Sequence, residues 1–224
     1  YKLWPYEATL QLVAEPIGRV VSEEVIRMTV PLGELPHPLL LIRRDEVPQI
    51  LEATKKDKRM KAAFDALIRT ADSWLQRKLD FPDRGAQWWH WYTCKKCGCR
   101  LKTEGPHRHV CPNCGAVYSG WPYDDVVLSR QHHALSNGAR ELGLAYILTG
   151  KREYARRALD ILLGYSKRYE KYPLHNIHGK PAPGGGHVGA QTLDEATWLI
   201  PIAQAFDAVQ DAMTPEERKQ IIDH

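Results

Sequence analysis

Four cysteines in two Cys-x-x-Cys pairs are the residues of this sequence best suited to chemistry. Cys94 and Cys97 form the first pair, Cys111 and Cys114 form the second, and thirteen residues separate the two pairs. Zinc takes four thiolate or imidazole ligands at about 2.0 to 2.3 Å, and a Cys-x-x-Cys turn brings two thiolates together in one tight loop. Two such turns predict a zinc ribbon that holds a structural Zn²⁺ ion.

The same cysteines also allow two disulfides or a redox pair, and the sequence leaves these interpretations open. Cys99 is left over from the two pairs, either as a free thiol or as an alternative ligand. A zinc ion held by four thiolates has no open coordination position for a substrate or a water molecule. The cysteines therefore predict a structural metal site, and residues that act on a ligand must be sought elsewhere.

Arg130, His133 and Asn137 are spaced by three and four residues near the beginning of a predicted helix. Residues at this spacing lie on one helix face. An arginine fork, an imidazole and an amide on one face suit the binding of a carboxylate. If the face binds a carboxylate, the three residues are candidate substrate contacts. The alternative is a solvated face without a ligand.

A glycine-rich segment at residues 184–186 leads through His187 to Gln191, just before another predicted helix. Glycines can bring the backbone close to a ligand, and a helix N-terminus favours an anionic group. The alternative is a flexible connection.

Trp121 belongs to a set of aromatic residues in segments without helical periodicity. Such rings can stack on sugars, or they can pack around the small cysteine-bearing loop.

The balance of charge argues against nucleic acid as a partner. The chain has 224 residues with 31 basic and 27 acidic side chains, a net charge of +4, and the two signs are interspersed. No run of eighteen apolar residues occurs, so the sequence predicts no membrane span. The phosphate-binding pattern G-x-x-x-x-G-K-[ST] is also absent from the sequence, which argues against nucleotide binding.

The first part of the chain is predicted to be a β-hairpin. Residues 8–14 and 20–31 are rich in Val, Ile, Thr and Leu, and residues 15–18 between them form a turn signal. Only this part of the sequence predicts sheet. The expected domains are a β segment at residues 1–35 and a helical part at residues 36–224.

The elements that must position the candidate residues are mostly helices. Apolar spacing predicts helices from about residue 45, from residue 60, and on either side of Gly150, where two helices form a hairpin with a short connection. A further helix is expected over about residues 192–212, kinked or divided at Pro201. Thr214 opens a capping box for the last helix. The cysteines interrupt this pattern as an insertion at about residues 90–120.

Residues 36–224 resemble the N-terminal helical part of the heparinase II/III-like polysaccharide lyases, a group that includes related exo-acting alginate lyases. The resemblance is carried by HPLLL at 37–41, GLAYILTG at 143–150, GGGH at 184–187 and QTLDEATWLIP at 191–201. It implies a mainly α fold, an incomplete (α/α) toroid of antiparallel helical hairpins with the zinc ribbon inserted. In that family a β-sandwich follows the toroid, and the β-sandwich and the remainder of the toroid are expected to be absent from this chain.

The resemblance implies binding of an acidic, uronate-containing polysaccharide for β-elimination, in a periplasmic or secreted location. The family's Asn-His dipeptide does not occur in this sequence, and its catalytic Tyr is expected beyond the matching segment, so no catalytic residue is assigned. The expected substrate contacts are His187, Gln191, His133, Arg130, Asn137 and Trp121.

Two other functions stay open at this point. The first is a non-catalytic helical module whose zinc ribbon binds a protein or nucleic acid. The second is a glycoside hydrolase on an αα scaffold, which requires two carboxylates across a cleft. Asp124, Asp125, Asp194 and Glu195 are the available carboxylates.

Overall fold

The chain divides into two compact units, Tyr1–Pro36 and His37–His224. The computed structural model describes residues 6–14, 19–28 and 37–224. In the first unit, β1 (Tyr6–Ala14) and β2 (Arg19–Met28) pair antiparallel in a two-stranded sheet. This pairing agrees with the expected hairpin. The expected turn at 15–18 and the strand extension at 29–31 lie outside the described residues.

The second unit is mainly helical, as predicted. Its helices are α1 (Val47–Lys56), α2 (Lys58–Gln76), α3 (Tyr123–Thr149), α4 (Arg152–Ser166), α5 (Thr192–Ala208) and α6 (Pro215–Asp223). Short 3₁₀ helices occupy Trp89–Trp91, Tyr169–Lys171 and Gln210–Ala212. No helix in the described ranges has both the length and the apolar character needed to cross a bilayer.

Local signals explain where these helices begin and end. The Asp57 side chain accepts hydrogen bonds from the first backbone N–H groups of α2. Gly150 ends α3 with φ of 70°, a conformation that costs glycine little. Thr214 and Glu217 form the predicted capping box of α6. These residues fix the register of the helices that carry the core.

Helix α3 lies at the centre of the unit and packs against α2, α4 and α5. Gly138 of α3 faces the Trp74 ring of α2, where a β-carbon would come within 2.3 Å of the indole. The close approach therefore requires glycine. The core around α3 consists mainly of buried aromatic and aliphatic side chains, among them Trp74, Leu142, Tyr154, Leu159, Ile161, Leu162 and Trp198.

Helix α5 runs unbroken through Pro201, so the helix is not divided there, and the predicted alternative, a kink at this residue, stays a prediction. A proline in a helix removes one backbone donor, and the burial of Pro201 adds apolar contacts that offset this loss. The helix also ends at Ala208, and the predicted last residues form the separate 3₁₀ turn. Closure of these helices into a toroid stays a prediction.

The cysteine-bearing segment contains a three-stranded antiparallel sheet, so the prediction of sheet only near the N-terminus is wrong. The strands are β3 (Lys102–Gly105), β4 (Arg108–Val110) and β5 (Val117–Tyr118), in the order β3-β4-β5. Strands of two to four residues are too short to show an alternating pattern, which explains why sequence periodicity missed them. We call residues 93–118 the cysteine segment.

Candidate functional site

Two loops converge on the first half of α3: the loop at 83–88 and the glycine-rich loop at 173–190. The Ala86 N–H donates to the Val188 carbonyl over 2.7 Å, and the His175 Nε2–H donates to the Ala86 carbonyl over 2.8 Å. The Gln87 N–H donates to the Asp125 carbonyl over 3.2 Å. These bonds hold the two loops against each other and against α3.

Glu195 organises the glycine-rich loop from the first turn of α5. Its carboxylate accepts hydrogen bonds from the backbone N–H groups of His187, Val188 and Gly189 at 3.2, 2.9 and 2.6 Å. It also accepts one from the Tyr169 hydroxyl at 2.7 Å. Sequence reasoning names Glu195 only as an available carboxylate, whereas the structure shows that its side chain binds the backbone of the loop.

Two glycines allow the loop to come this close to α5. A β-carbon on Gly186 would lie 2.6 Å from the Glu195 carboxylate, and one on Gly189 would lie 2.6 Å from the Asp194 β-carbon. Both distances are far below van der Waals contact. Gly186, the last residue of the glycine run, and Gly189 are thus required where the loop packs against α5.

A narrow cleft, with room inside for about one water molecule, opens between these segments. His133 of α3 and Asp194 of α5 both line this cleft. Asp194 is the one carboxylate among the lining residues in the described part of the chain. The lining residues are Ala86, Gln87, Trp89, Ser129, His132, His133, Val188, Gly189, Ala190, Asp194 and Trp198.

Burial disfavours the charged form of both histidines of the cleft. Burial lowers the pKa of His133, and the negative charge of Asp194 opposes part of that shift. Burial lowers the pKa of His132 to about 4. The His132 Nε2–H donates to the Arg84 carbonyl over 3.0 Å, so its Nδ1 accepts from the Tyr165 hydroxyl over 2.9 Å. Both ring nitrogens of His132 are therefore used in hydrogen bonds within the protein. His133 is the imidazole of the cleft that can contact a ligand.

Of the six predicted substrate contacts, His133 lines the cleft and Arg130 borders it. The Arg130 guanidinium lies over the ring of Trp89, with Cζ 5.0 Å from the ring centroid, and Trp89 lines the cleft. Gln191 adjoins the lining residue Ala190, and its amide makes a long 3.4 Å contact with Asp194. The structure thus brings these predicted residues near one another.

The other three predicted residues have different surroundings. The His187 Nδ1–H donates to the Tyr172 carbonyl over 2.5 Å, and its ring packs on Tyr169. Asn137 lies one helical turn beyond His133 and is half-buried. Trp121 is 56 % exposed and packs beside Gly179, where a β-carbon would lie 3.4 Å from its Nε1 atom.

Sequence reasoning does not single out Gln87, Ser129 or Trp198 as cleft residues. Gln87 is in an irregular loop, where no periodicity indicates which side chains face inward. Ser129 and Trp198 lie in helices whose apolar faces pack mainly in the core, so helical periodicity does not assign them to a cleft. The sequence pattern does not show which distant segments come into contact.

The four paired cysteines come together as predicted. The Sγ atoms of Cys94, Cys97, Cys111 and Cys114 all lie within 4.8 Å of one another. The separations of 3.3 Å between Cys97 and Cys111 and 3.6 Å between Cys94 and Cys114 exceed the roughly 2.05 Å of a disulfide. Sulfurs around a tetrahedral zinc with bonds of about 2.3 Å stand about 3.8 Å apart. The cluster could hold a metal ion.

Two donors from neighbouring residues point at thiols of this cluster. The Tyr118 hydroxyl donates to the Cys94 Sγ over 3.2 Å and lowers the pKa of that thiol. The Cys114 N–H points at the Cys111 Sγ over 3.4 Å. Cys99 adds a fifth thiol beside the cluster, 3.1 Å from the Cys111 Sγ. Such second-shell donors are typical of protein metal sites.

Two histidines of the cysteine segment bind α3 instead of the cysteine cluster. The His109 Nε2–H donates to the Asp124 Oδ1 over 2.9 Å, and the His107 Nδ1–H donates to the other carboxylate oxygen. The His109 Nδ1 accepts from the buried Tyr92 hydroxyl over 2.7 Å. Burial opposes ionisation of Asp124, but these histidine bonds lower its pKa. The cysteine segment is thereby attached to the N-terminus of α3.

Parts of the chain are similar to two curated alginate-degrading enzymes. The exo-oligoalginate lyase of Saccharophagus degradans and the alginate lyase of Stenotrophomonas maltophilia are each 34 % identical to it over 91 residues. The match covers 41 % of this chain and 12 % of each relative, so only a small part of their length is represented. No protein-family model matches the chain. The partial similarity relates the chain to polysaccharide lyases.

Proposed function

We propose that this chain is part of a heparinase II/III-like polysaccharide lyase and that an acidic, uronate-containing polysaccharide binds over the mouth of the cleft around His133 for β-elimination. The observation that carries the proposal is the similarity to two alginate lyases over 91 residues. The cleft agrees with it because the cleft combines an imidazole, an aromatic ring and a bordering guanidinium. The resemblance also supports a periplasmic or secreted location.

β-Elimination at a uronate has three chemical requirements. The carboxylate must be neutralised so that the C5 proton becomes acidic, a base must remove this proton, and an acid must protonate the departing glycosidic oxygen. In our proposal Arg130 and His133 bind the uronate from α3, and Gln191 contributes an amide from the start of α5. His187, Asn137 and Trp121 would contact more distant parts of the polymer.

The ring of Trp89 holds the Arg130 guanidinium at the edge of the cleft, because Arg130, Arg100 and the stacked Tyr92 all pack on this ring. Because burial disfavours the charged form of His133, its imidazole can either donate to a carboxylate or accept a proton. A single carboxylate among the cleft residues does not provide the pair that a glycoside hydrolase requires.

A Zn²⁺ ion would be held by Cys94, Cys97, Cys111 and Cys114 in this proposal. Such an ion supplies folding free energy by crosslinking the ends of short loops. With four thiolate ligands it would leave the chemistry of the sugar to the residues of the cleft. Its place in the mechanism is to keep the cysteine segment folded against the N-terminus of α3.

The reaction is tested by mixing the chain with alginate and following the ultraviolet absorbance of a 4,5-unsaturated uronate. A binding titration with oligoalginates accompanies this assay, because binding is expected even where catalytic groups lie on another part of a longer protein. His133→Ala should weaken oligoalginate binding, and His178→Ala, in an exposed part of the glycine-rich loop, should leave it unchanged. Equal binding by both variants would contradict the assignment of the cleft.

A further inference from the structure

Two guanidinium groups share the ring of Trp89. Arg100, from the cysteine segment, has its Cζ 4.5 Å from the ring centroid, and Arg130, from α3, has its Cζ at 5.0 Å. Trp89 is itself held by stacking on the buried Tyr92, with ring centroids 5.6 Å apart. A rigid aromatic platform thus brings together two cations from different parts of the fold.

Arg100 and Arg130 are both exposed. Within the described residues, neither forms an ion pair with a carboxylate. Other arginines nearby differ in this respect. Arg84 binds the Asp125 carboxylate at 2.7 Å, and Arg108 binds the Glu104 carboxylate at 2.9 Å. The N–H groups of the Arg100 and Arg130 guanidinium groups also make no hydrogen bond within the described residues, so they are available to a carboxylate.

The shared ring also lines the cleft that contains His133. We propose that Arg100, Trp89 and Arg130 form a binding site for a uronate carboxylate at the edge of the cleft, and that the cysteine segment thereby supplies a substrate contact. This inference rests on the proposed function. It adds Arg100 as a binding residue and gives the cysteine segment a direct part in recognition of the glycan.

The position of Arg100 depends on the fold of the cysteine segment. Arg100 directly follows Cys99 and forms an isolated β-bridge with Thr93. The Cys94 N–H donates to the Cys99 carbonyl over 2.8 Å, which closes the turn between the first two cysteines of the cluster. A metal ion that fixes Cys94 and Cys97 would therefore also fix the backbone from which Arg100 reaches Trp89.

The experiment is a calorimetric titration of a short oligomannuronate into the complete chain and into two variants. Arg100→Ala should weaken binding by about five- to tenfold, because it removes one charge-assisted contact. Arg108→Ala is the matched control, since it removes an arginine of the same segment that already has a carboxylate partner. It should change the affinity by less than about twofold.

A salt series distinguishes a direct contact from a change in packing. Added NaCl screens exposed charges, so the affinity of the unaltered chain should fall more steeply with salt than that of Arg100→Ala. Arg100→Gln should behave like Arg100→Ala, and it keeps a polar side chain in case the full truncation disturbs the segment. A thermal melt of each variant checks that the fold is retained.

The outcomes separate this inference from the proposed function. If the unaltered chain binds oligomannuronate and Arg100→Ala and Arg100→Gln bind it equally well with the same salt slope, the inference is overturned and the proposed function stands. If the unaltered chain does not bind acidic oligosaccharides, both are overturned. Loss of affinity in the Arg100 variants but not in Arg108→Ala supports the inference.

Discussion

The His109 Nε2–H donates a hydrogen bond to the Asp124 Oδ1 over 2.9 Å, and both side chains are buried. His109 belongs to the cysteine segment, and Asp124 belongs to the first turn of α3. This bond attaches the metal-site candidate to the helix that carries Arg130 and His133. The stability of that attachment can be measured directly.

Asp124→Asn should lower the free energy of unfolding by about 1–3 kcal/mol, because a buried imidazole N–H loses its charged acceptor. Urea denaturation followed by tryptophan fluorescence measures this change. Asp65→Asn is the control, since Asp65 forms an exposed pair with Lys61 at the surface of α2. The explanation fails if both substitutions have the same small effect.

The contribution of Asp124 should also depend on pH. Its pKa is lower in the folded chain than in the unfolded chain, where a value of about 3.9 is expected. The stabilisation is therefore present above pH 4 and is lost as the pH falls through the folded pKa. The stability difference between the unaltered chain and Asp124→Asn should shrink over this range in acid denaturation curves.

Glu195→Gln should destabilise the glycine-rich loop by about 1–3 kcal/mol, because one amide group cannot accept all the hydrogen bonds that the carboxylate accepts from the loop and from Tyr169. The same change should weaken binding of oligoalginate, since this loop lines the cleft. Hydrogen exchange of the Val188 and Gly189 amides measures the local effect. Glu170→Gln, at an exposed site, should leave both quantities unchanged.

The purified chain should contain one zinc ion per molecule. Cys111→Ser should lose the metal, whereas Cys99→Ser should retain it, because Cys99 lies outside the group of four cysteines with mutually close sulfurs. Elemental analysis measures both. Removal of the metal with a chelator should increase hydrogen exchange in the cysteine segment and leave the core of α3 and α4 protected. Metal retention by Cys111→Ser would contradict this ligand set.

The sequence predicts those parts of the fold that follow from local chemistry. The helical hairpin around Gly150 could be predicted because apolar spacing and the glycine agree, and the capping box at Thr214 is a signal contained in four residues. The cysteine cluster was predictable for the same reason, since each Cys-x-x-Cys turn is local.

The cleft could not be predicted in the same way. Trp89, Gln87 and Asp194 come from an irregular loop and a helix start, and only tertiary packing decides that they meet. The interaction of His107 and His109 with Asp124 is also non-local. Their spacing between the cysteines is compatible with metal ligation, and nothing in the local sequence indicates a carboxylate at the beginning of α3.

Recognition of uronates by the cleft is tested most directly with two ligands of equal length, an oligomannuronate and the corresponding neutral β-1,4-mannooligosaccharide. Each ligand is titrated calorimetrically into the complete chain and into His133→Ala. The two ligands differ in the group at C6, which is a carboxylate in the first and a hydroxymethyl group in the second. We expect the unaltered chain to bind the acidic ligand at least about tenfold more tightly than the neutral one, and His133→Ala to lose most of this preference. Equal affinity for the two ligands, or an unchanged preference in His133→Ala, would contradict the claim that this cleft recognises uronates.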